Sequence, residues 1–395
     1  MESTSCYLNA LGMLCSIGGS PVEIKKSLLA QKPGLTLTNA YGIEQTVLIG
    51  LFQGELPSVP LPHKKWHTRN NQFAYAALSQ IRGEVDAAIE KYGAHRIAVV
   101  VGTSTSGIDE SEQAVEHWVT HSEFKSEYDY GMHEMGATAQ FVAETLGVRG
   151  PTYGISTACS SGAKAIATAR RLIQSGLCDA VIAGGVDTLC QLTVLGFSSL
   201  EAVSRQACNP FSKNRDGINI GEGGALFLIS SDPEGVELCG VGEGSDAYHI
   251  SAPDPTGAGA FRCMNAALKD AGLEASQIDY INLHGTATAL NDQMESLAVS
   301  QLFGEDVVCS STKPFTGHTL GAAGAVEAGI CWLCLQHDAS SLVPVHLWDG
   351  EPDPALPALN LVVSDYNPAQ KIRYALSNSF AFGGNNISLL FGRSV

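Results

Sequence analysis

The feature that most restricts how this chain can fold is a coarse internal duplication. In the first half a strand-like segment, Arg96–Gly102 (RIAVVVG), runs into the turn GTST and then a helix-like stretch. An extended segment follows, ending in Thr157-Ala158-Cys159-Ser160-Ser161-Gly162 and a helix of small residues. The second half repeats this order: Asp279–Leu283 (DYINL) ends in HGTAT, a helix-like stretch follows, and VVCSSTKPFTGH leads into another small-residue helix. Each half closes on an apolar segment, Ala225–Ile229 (ALFLI) and Ile387–Phe391 (ISLLF), and Asp179–Gly184 (DAVIAG) reads as a further strand. Short apolar runs bounded by glycine predict buried strands. The stretches 137–147, 160–176, 257–272 and 291–304 carry small and apolar residues at helical spacing. Strands alternating with helices predict an α/β protein with a largely parallel sheet. The polar turn Ser231–Gly235 (SDPEG) separates residues 1–235 from residues 236–395, an N-terminal and a C-terminal half. Two such halves facing each other would gather the loops after corresponding strands around one shared cleft.

Composition removes several classes of function. A net charge of −17 lacks the basic footprint expected of a nucleic-acid binder, and any acidic partner would have to meet a local basic patch. The apolar stretch around Leu8–Leu14 has no basic run before it, as a signal peptide would. Gly321–Leu335 is interrupted by Glu327 and is too short to cross a bilayer, so no membrane span and a cytoplasmic location are expected. Eleven cysteines, an odd number in a chain of 395 residues, fit reduced thiols better than a disulfide framework.

Three segments carry candidate chemistry. Cys159 lies where an extended segment opens a helix, so its sulfur would face free N–H groups and the positive end of the helix dipole. That setting stabilises an anion by up to about 2 kcal/mol, enough to lower a thiol pKa of about 8.5 by roughly one unit. The competing reading is a buried cysteine acting as a small hydrophobe. His284 stands in His284-Gly285-Thr286-Ala287-Thr288 and His318 in the segment 313–324 (KPFTGHTLGAAG), each beside a glycine that lets a substrate approach the backbone. A lone histidine is usually structural; two at strand ends, in the half opposite Cys159, are harder to dismiss. The segment 377–386 (SNSFAFGGNN) is either turn and core or a mobile gate with an aromatic surface.

With these segments assembled, the chain resembles the β-ketoacyl-acyl carrier protein synthases, the condensing enzymes of fatty acid and polyketide synthesis. TACSSG, HGTAT, KPFTGHTLGAAGAVE and SNSFAFGGNN match the four family signatures in order, and Asn209–Gly224 and Ser245–Pro253 also match. The resemblance spans essentially the full length. It implies a thiolase-like fold of two similar βαβαβ-type halves, forming a five-layered αβαβα sandwich. It implies Cys159 as acyl-accepting nucleophile and His284 and His318 as the pair that binds the malonyl thioester carbonyl. Lys313 matches the family lysine, with Glu327 as its charge partner. The N–H groups of Cys159 and Phe382 would form the oxyanion hole, with Phe382 as gate and Phe380 lining the site. Thr286 and Thr288 would hydrogen-bond a phosphopantetheine arm that the acyl carrier protein supplies, so neither a resident cofactor nor a metal is expected. The expected assembly is a homodimer, or a heterodimer with a chain-length-factor-like subunit.

The match has departures. Ala381 stands where the gate loop usually has glycine; the expectation is a negative φ there or a stiffer gate. Asn385 replaces the usual threonine, and Ala287, in place of a common glycine, could narrow the arm's tunnel. Lys64, Lys65, Arg69, Arg205 and Lys213 are candidates for a carrier-protein patch; the alternative is scattered surface charge. The motif Cys331-Trp332-Leu333-Cys334 has metal-knuckle spacing but sits in an apolar helix, which favours core packing. His117 and His121 lack the acid of a zinc-protease helix and fit a surface helix or an interface. Gly102–Gly107 (GTSTSG) lacks the ending of a phosphate loop; the resemblance places it beside the acyl pocket and dimer interface. Two rival functions remain: a non-catalytic partner subunit that keeps this fold, and a thiolase using coenzyme A and a second cysteine.

Overall fold

In the computed structural model, which describes residues 4–42, 46–336, 342–364 and 371–393, the repeated segments become two matching runs of strands. The first half supplies β1 (Tyr7–Cys15), the antiparallel pair β2 (Thr36–Thr38) and β3 (Val47–Ile49), β4 (Ile97–Gly102), β5 (Thr152–Ile155), β6 (Ala180–Asp187) and β7 (Gly223–Ser230). The second supplies β8 (Val236–Ser245), β9 (Tyr280–Asn282), β10 (Val308–Ser310), β11 (Asn360–Leu361), β12 (Tyr374–Ala381) and β13 (Asn385–Arg393). Helices α1 (Pro21–Leu29), α2 (Arg69–Gln80), α3 (Arg82–Tyr92), α4 (Ile108–His121), α5 (Ala137–Leu146), α6 (Ser161–Gln174) and α7 (Gln191–Ser199) belong to the first half. The second half adds α8 (Ala258–Ala271), α9 (Ala289–Phe303), α10 (Lys313–Thr316) and α11 (Ala323–Cys334).

The strands order as β11-β10-β9-β12-β13-β8-β1-β7-β6-β4-β5. Read outward from the β8–β1 junction, the halves mirror one another: β1, β7, β6, β4, β5 against β8, β13, β12, β9, β10, with β11 as an added edge. The junction is short, pairing only Tyr7 with Glu237 and Leu8 with Val236. The expectation of a largely parallel sheet is corrected. β4 runs parallel to β5 and β6, and β9 to β10 and β12, but β1, β7, β8 and β13 pair antiparallel with their neighbours. The reason is local. In the second half the tight turn Phe382–Gly384 joins β12 to β13, and a tight turn can only link antiparallel strands; in the first half residues 188–222, with α7 among them, bring β7 back antiparallel to β6.

Three of the long strands lie outside the sequence expectation, as do the short β2, β3 and β11. β1 covers the apolar stretch that lacks a leader's basic run, and β12 takes up the first half of the stretch read as a gate loop. β8 alternates buried and half-exposed residues along VELCGVGEG, a period-2 pattern that its glycines obscure.

The layers follow from which faces are apolar. On one face of the first-half strands, α2, α3 and α5 pack around Phe73, Val85, Phe141 and Ile182. On the outer face of the second half, α8 and α9 pack around Met264, Ala298, Ile281 and Leu390. Between the two sets of strands lie α6 and α11, in one core with Met13, Val181, Phe227, Tyr280, Ile387 and Phe391. This is the five-layered αβαβα sandwich. Small residues let the central helices approach closely: a Cβ on Gly162 would lie 2.8 Å from Ala325 Cβ, and one on Gly324 would lie 2.7 Å from Ala163 Cβ. Among the described residues no helix is long and apolar enough to cross a membrane.

Candidate active site

The nucleophile candidate sits on a tight, self-bonded turn. Past β5, Ala158 adopts φ 52°, a left-handed conformation that costs a non-glycine residue about 1–2 kcal/mol. The hydroxylic residues of TACSS satisfy the turn. Ser160 Oγ donates to the Thr157 carbonyl at 2.7 Å, while Ser161 Oγ accepts from Thr157 N–H at 2.9 Å and donates to the Ala158 carbonyl at 2.6 Å. Cys159 is thereby held, buried, two residues before α6 begins.

Both histidines converge on its sulfur. His318 Nε2 lies 3.1 Å from Cys159 Sγ, and the rings of His284 and His318 meet edge to face at 5.4 Å. His318 is set by its own backbone, whose N–H donates to the Asn219 carbonyl at 2.6 Å and whose carbonyl accepts from Gly221 N–H at 2.9 Å. His284 follows β9. Its N–H and that of Gly285 donate to the two carboxylate oxygens of Glu295 on α9, at 2.8 and 2.7 Å. Lys313, on the one-turn helix α10, bonds through its ammonium to the Glu327 carboxylate and the His284 carbonyl. The same ammonium is 3.4 Å from His284 Nδ1. An ammonium has no acceptor, so Nδ1 must accept and Nε2 carries the proton.

That tautomer answers a second question. One ligand atom from each of Cys159, His284 and His318 fits within a 4.8 Å cluster, close enough for a metal ion. With Nδ1 facing an ammonium, however, His284 turns a protonated nitrogen toward the cluster, which suits an oxygen acceptor rather than a cation.

Burial dominates the electrostatics. It pushes the Cys159 thiol up to about 11, against the opposing pull of Lys313 and the N–H groups of Phe382 and Cys159 itself. The sequence expectation of a thiol lowered by the helix start is therefore corrected: desolvation outweighs the dipole. Burial, reinforced by the Lys313 charge, holds both histidines well below 6.5, so they are neutral at neutral pH. The Glu295 carboxyl is raised by burial to about 7, opposed by its two backbone donors.

A cavity of about 360 Å³ reaches from the surface to these groups. Thr286 and Thr288 line it with hydroxyls 2.8 Å apart, and Phe380, buried, faces His284 at 6.3 Å. Phe382 is exposed at the cavity wall, its ring 5.8 Å from that of Phe197. Ala381 has φ −95°, the expected negative value; the left-handed positions of the turn are Gly383 and Gly384. Strain lies at Ala287 instead, with φ 63°. Ala287 is fully buried and is not among the lining residues, so the expected narrowing of the tunnel does not occur.

The five basic candidates sit in different settings. Arg69 is turned inward, its guanidinium bonded to the buried Glu222 at 2.5 and 2.9 Å. Lys213 pairs with Glu351, and Lys64 Nζ donates to the carbonyls of Ser126 and Tyr128. Lys65 lies over the Trp66 ring and Arg205 is exposed. Cys331 and Cys334 are core residues, and His117 and His121 stack on the exposed side of α4. The GTSTSG loop passes behind the nucleophile: a Cβ on Gly102 would meet the Ser161 backbone at 2.3 Å. Sequence reasoning missed Glu295 and Asp292, whose signal was two acids three apart on a helix that carries no other charge. It also missed Asp187, which accepts from the hydroxyls and N–H groups of the GTSTSG loop and from Gly321 N–H.

Comparison with known proteins decides what the arrangement is. Residues 74–234 match the profile "Beta-ketoacyl synthase, N-terminal domain" and residues 236–344 match "Beta-ketoacyl synthase, C-terminal domain". The chain belongs to the β-ketoacyl synthase family. It is 32% identical to Nodulation protein E of Rhizobium meliloti, over 97% of this chain and 98% of that protein. It is 31% identical to 3-oxoacyl-[acyl-carrier-protein] synthase 2 of Synechocystis sp., over 99% of this chain and 98% of that one. Among solved structures, the ketosynthase ApeO of Xenorhabdus doucetiae, in complex with its chain length factor ApeC, superposes with a TM-score of 0.94 at 44% identity, covering 99% of this chain and 98% of that one. A type II polyketide ketosynthase complexed with its acyl-carrier protein, AntDE:AntF, gives 0.87 at 26% identity over the full length of both chains. This β-ketoacyl synthase is accordingly a condensing acyltransferase, which joins acyl units through carbon–carbon bonds.

Proposed function

We propose that Cys159 receives an acyl group from a carrier-protein thioester and passes it to a malonyl unit by decarboxylative condensation. The observation that carries this reading is the convergence of His318 Nε2 and the Nε2–H of His284 on the Cys159 sulfur at the floor of the cavity. The thiol is neutral at rest, so attack on the incoming thioester transfers its proton to His318, 3.1 Å away. The tetrahedral oxyanion is stabilised by the N–H groups of Cys159 and Phe382, which already act on the sulfur. The arm's thiolate leaves, takes that proton, and acyl-Cys159 remains.

A malonyl-carrier protein then enters. Its C–CO2 bond breaks, the electron pair moves onto the thioester carbonyl as an enolate, and the neutral imidazoles of His284 and His318, the latter with its proton exchanged from Nδ1 to Nε2, each donate one hydrogen bond to that oxygen. The enolate carbon attacks the acyl carbon, its bond to the Cys159 sulfur breaks, and the leaving thiolate takes a proton from solvent. Lys313, with Glu327, keeps His284 in its donor tautomer. Thr286 and Thr288 take the amides of the phosphopantetheine arm, Phe380 lines the reacting space and Phe382 swings as the gate. The arm belongs to the carrier protein, and this scheme uses no resident cofactor or metal.

A heterodimer with a chain-length-factor-like subunit is favoured over a homodimer by the 44% identity to a ketosynthase in such a pair. The exposed face of α4, with Val115, Trp118, Val119 and the nearby Phe124, is the apolar surface such a subunit would cover. The complete Cys-His-His set argues against a non-catalytic subunit, and the paired histidines argue against a thiolase. Eleven cysteines, all free among the described residues, fit a cytoplasmic location.

The test is release of CO2 from malonyl-carrier protein by the purified enzyme with its partner subunit. Wild type should release it and His284→Ala should lose at least a hundredfold. No release from wild type, or cleavage of a β-ketothioester that requires coenzyme A and no malonyl group, would overturn the reading.

A further inference from the structure

Outside the reacting groups lies another buried histidine with both ring nitrogens engaged. His346 Nδ1 accepts the backbone N–H of Ser311 at 3.1 Å, and its Nε2–H donates to the Pro210 carbonyl at 3.0 Å. The two partners fix the ring as the Nε2–H tautomer, and the rings of Phe211 and Trp348 pack against it at 6.0 and 5.6 Å. Burial drives its pKa down to about 4, so it stays neutral across the working range.

What it holds makes this more than core packing. Ser311 Oγ donates to the Gly285 carbonyl at 2.7 Å and accepts Lys313 N–H at 3.3 Å. Ser311 thus bonds both the residue after His284 and the residue whose ammonium sets the His284 tautomer. Space there is tight: a Cβ on Gly285 would lie 2.6 Å from Ser311 Cβ and 3.0 Å from the Phe211 ring. Phe211 itself is held at φ 63°, and its N–H is bonded to Asp292 at 2.8 Å. His346 therefore spans the gap between Pro210–Phe211 and Ser311, the two walls that enclose Gly285.

We infer that His346 is a positioning residue for condensation, locking Ser311 and Pro210 in the register that aims His284 at the malonyl carbonyl and holds Lys313 against His284. The inference rests on the proposed role of His284 as a donor to the enolate. Filling this position requires an acceptor and a donor on one planar group; a carboxamide also offers that pair, and an aliphatic side chain offers neither.

The experiment compares two half-reactions of the intact enzyme. Decarboxylation of malonyl-carrier protein reads His284, and alkylation of Cys159 by iodoacetamide reads the nucleophile. His346→Leu should lower decarboxylation kcat at least tenfold, leave KM within twofold, and leave alkylation within twofold. His346→Gln should recover at least a third of the lost rate. Ser311→Ala should reproduce the Leu defect, and the double variant should be no worse than the more impaired single one. Should His346→Leu fail to fold, His346→Gln against Ser311→Ala carries the comparison: equal losses in both half-reactions, or no loss in either, overturn the inference. If wild type itself does not decarboxylate malonyl-carrier protein, it is the proposed function that fails instead.

Discussion

At Cys159 two opposing effects on one thiol can be ranked. The helix start and the N–H groups of Phe382 and Cys159 favour the anion, but they act on a sulfur stripped of water, and the pKa still rises to about 11. The sign of the pH dependence follows. Below that value each pH unit removes about nine-tenths of the thiolate, so alkylation by iodoacetamide should climb nearly tenfold per unit from pH 7 to about pH 10. A plateau below pH 8 would mean that the resting pair is thiolate and imidazolium rather than thiol and imidazole. The neutral thiol has a functional sense: the sulfur needs to be nucleophilic only when His318 can take its proton, with a thioester in place.

Among the elements, the contact between α6 and α11 ties the nucleophile to His318. α6 begins just after Cys159, and α11 follows the loop that carries His318. Their spacing is set by Gly162 against Ala325 and Gly324 against Ala163. Gly162→Ala should push the helices apart, destabilise the fold by roughly 1–3 kcal/mol in chemical denaturation, and lower acyl transfer to Cys159 by more than tenfold. A variant with normal stability and normal transfer would show that the helices tolerate the added methyl. The same contact explains why both small-residue helices stand out in the sequence: each must let a neighbouring backbone approach, and only glycine and alanine allow it.

For the whole molecule, the exposed apolar face of α4 calls for a covering partner. For a partner subunit seated on this face as proposed, replacing Trp118 and Val119 with glutamate should leave circular dichroism unchanged and give a monomer in light scattering where the unaltered protein gives a dimer. An unaltered mass would place the subunit contact elsewhere. Sequence alone determined the strand–helix repeat and singled out Cys159, His284 and His318 from the local motifs around them, while Lys313 and Glu327 were legible only through the family resemblance of their segment. Tertiary structure decided what depends on atoms far apart in the chain. Arg69 has the look of a surface cation until Glu222, 153 residues away, turns it inward. Ala381 takes the negative φ expected of it, while the left-handed conformation falls on Ala287, which had suggested only bulk. Glu295, Asp292 and His346 read as unremarkable because their partners are backbone groups of loops that only folding brings together. The direction of the thiol's shift lay beyond sequence for the same reason: desolvation is a property of everything packed around a group, and no local motif records it.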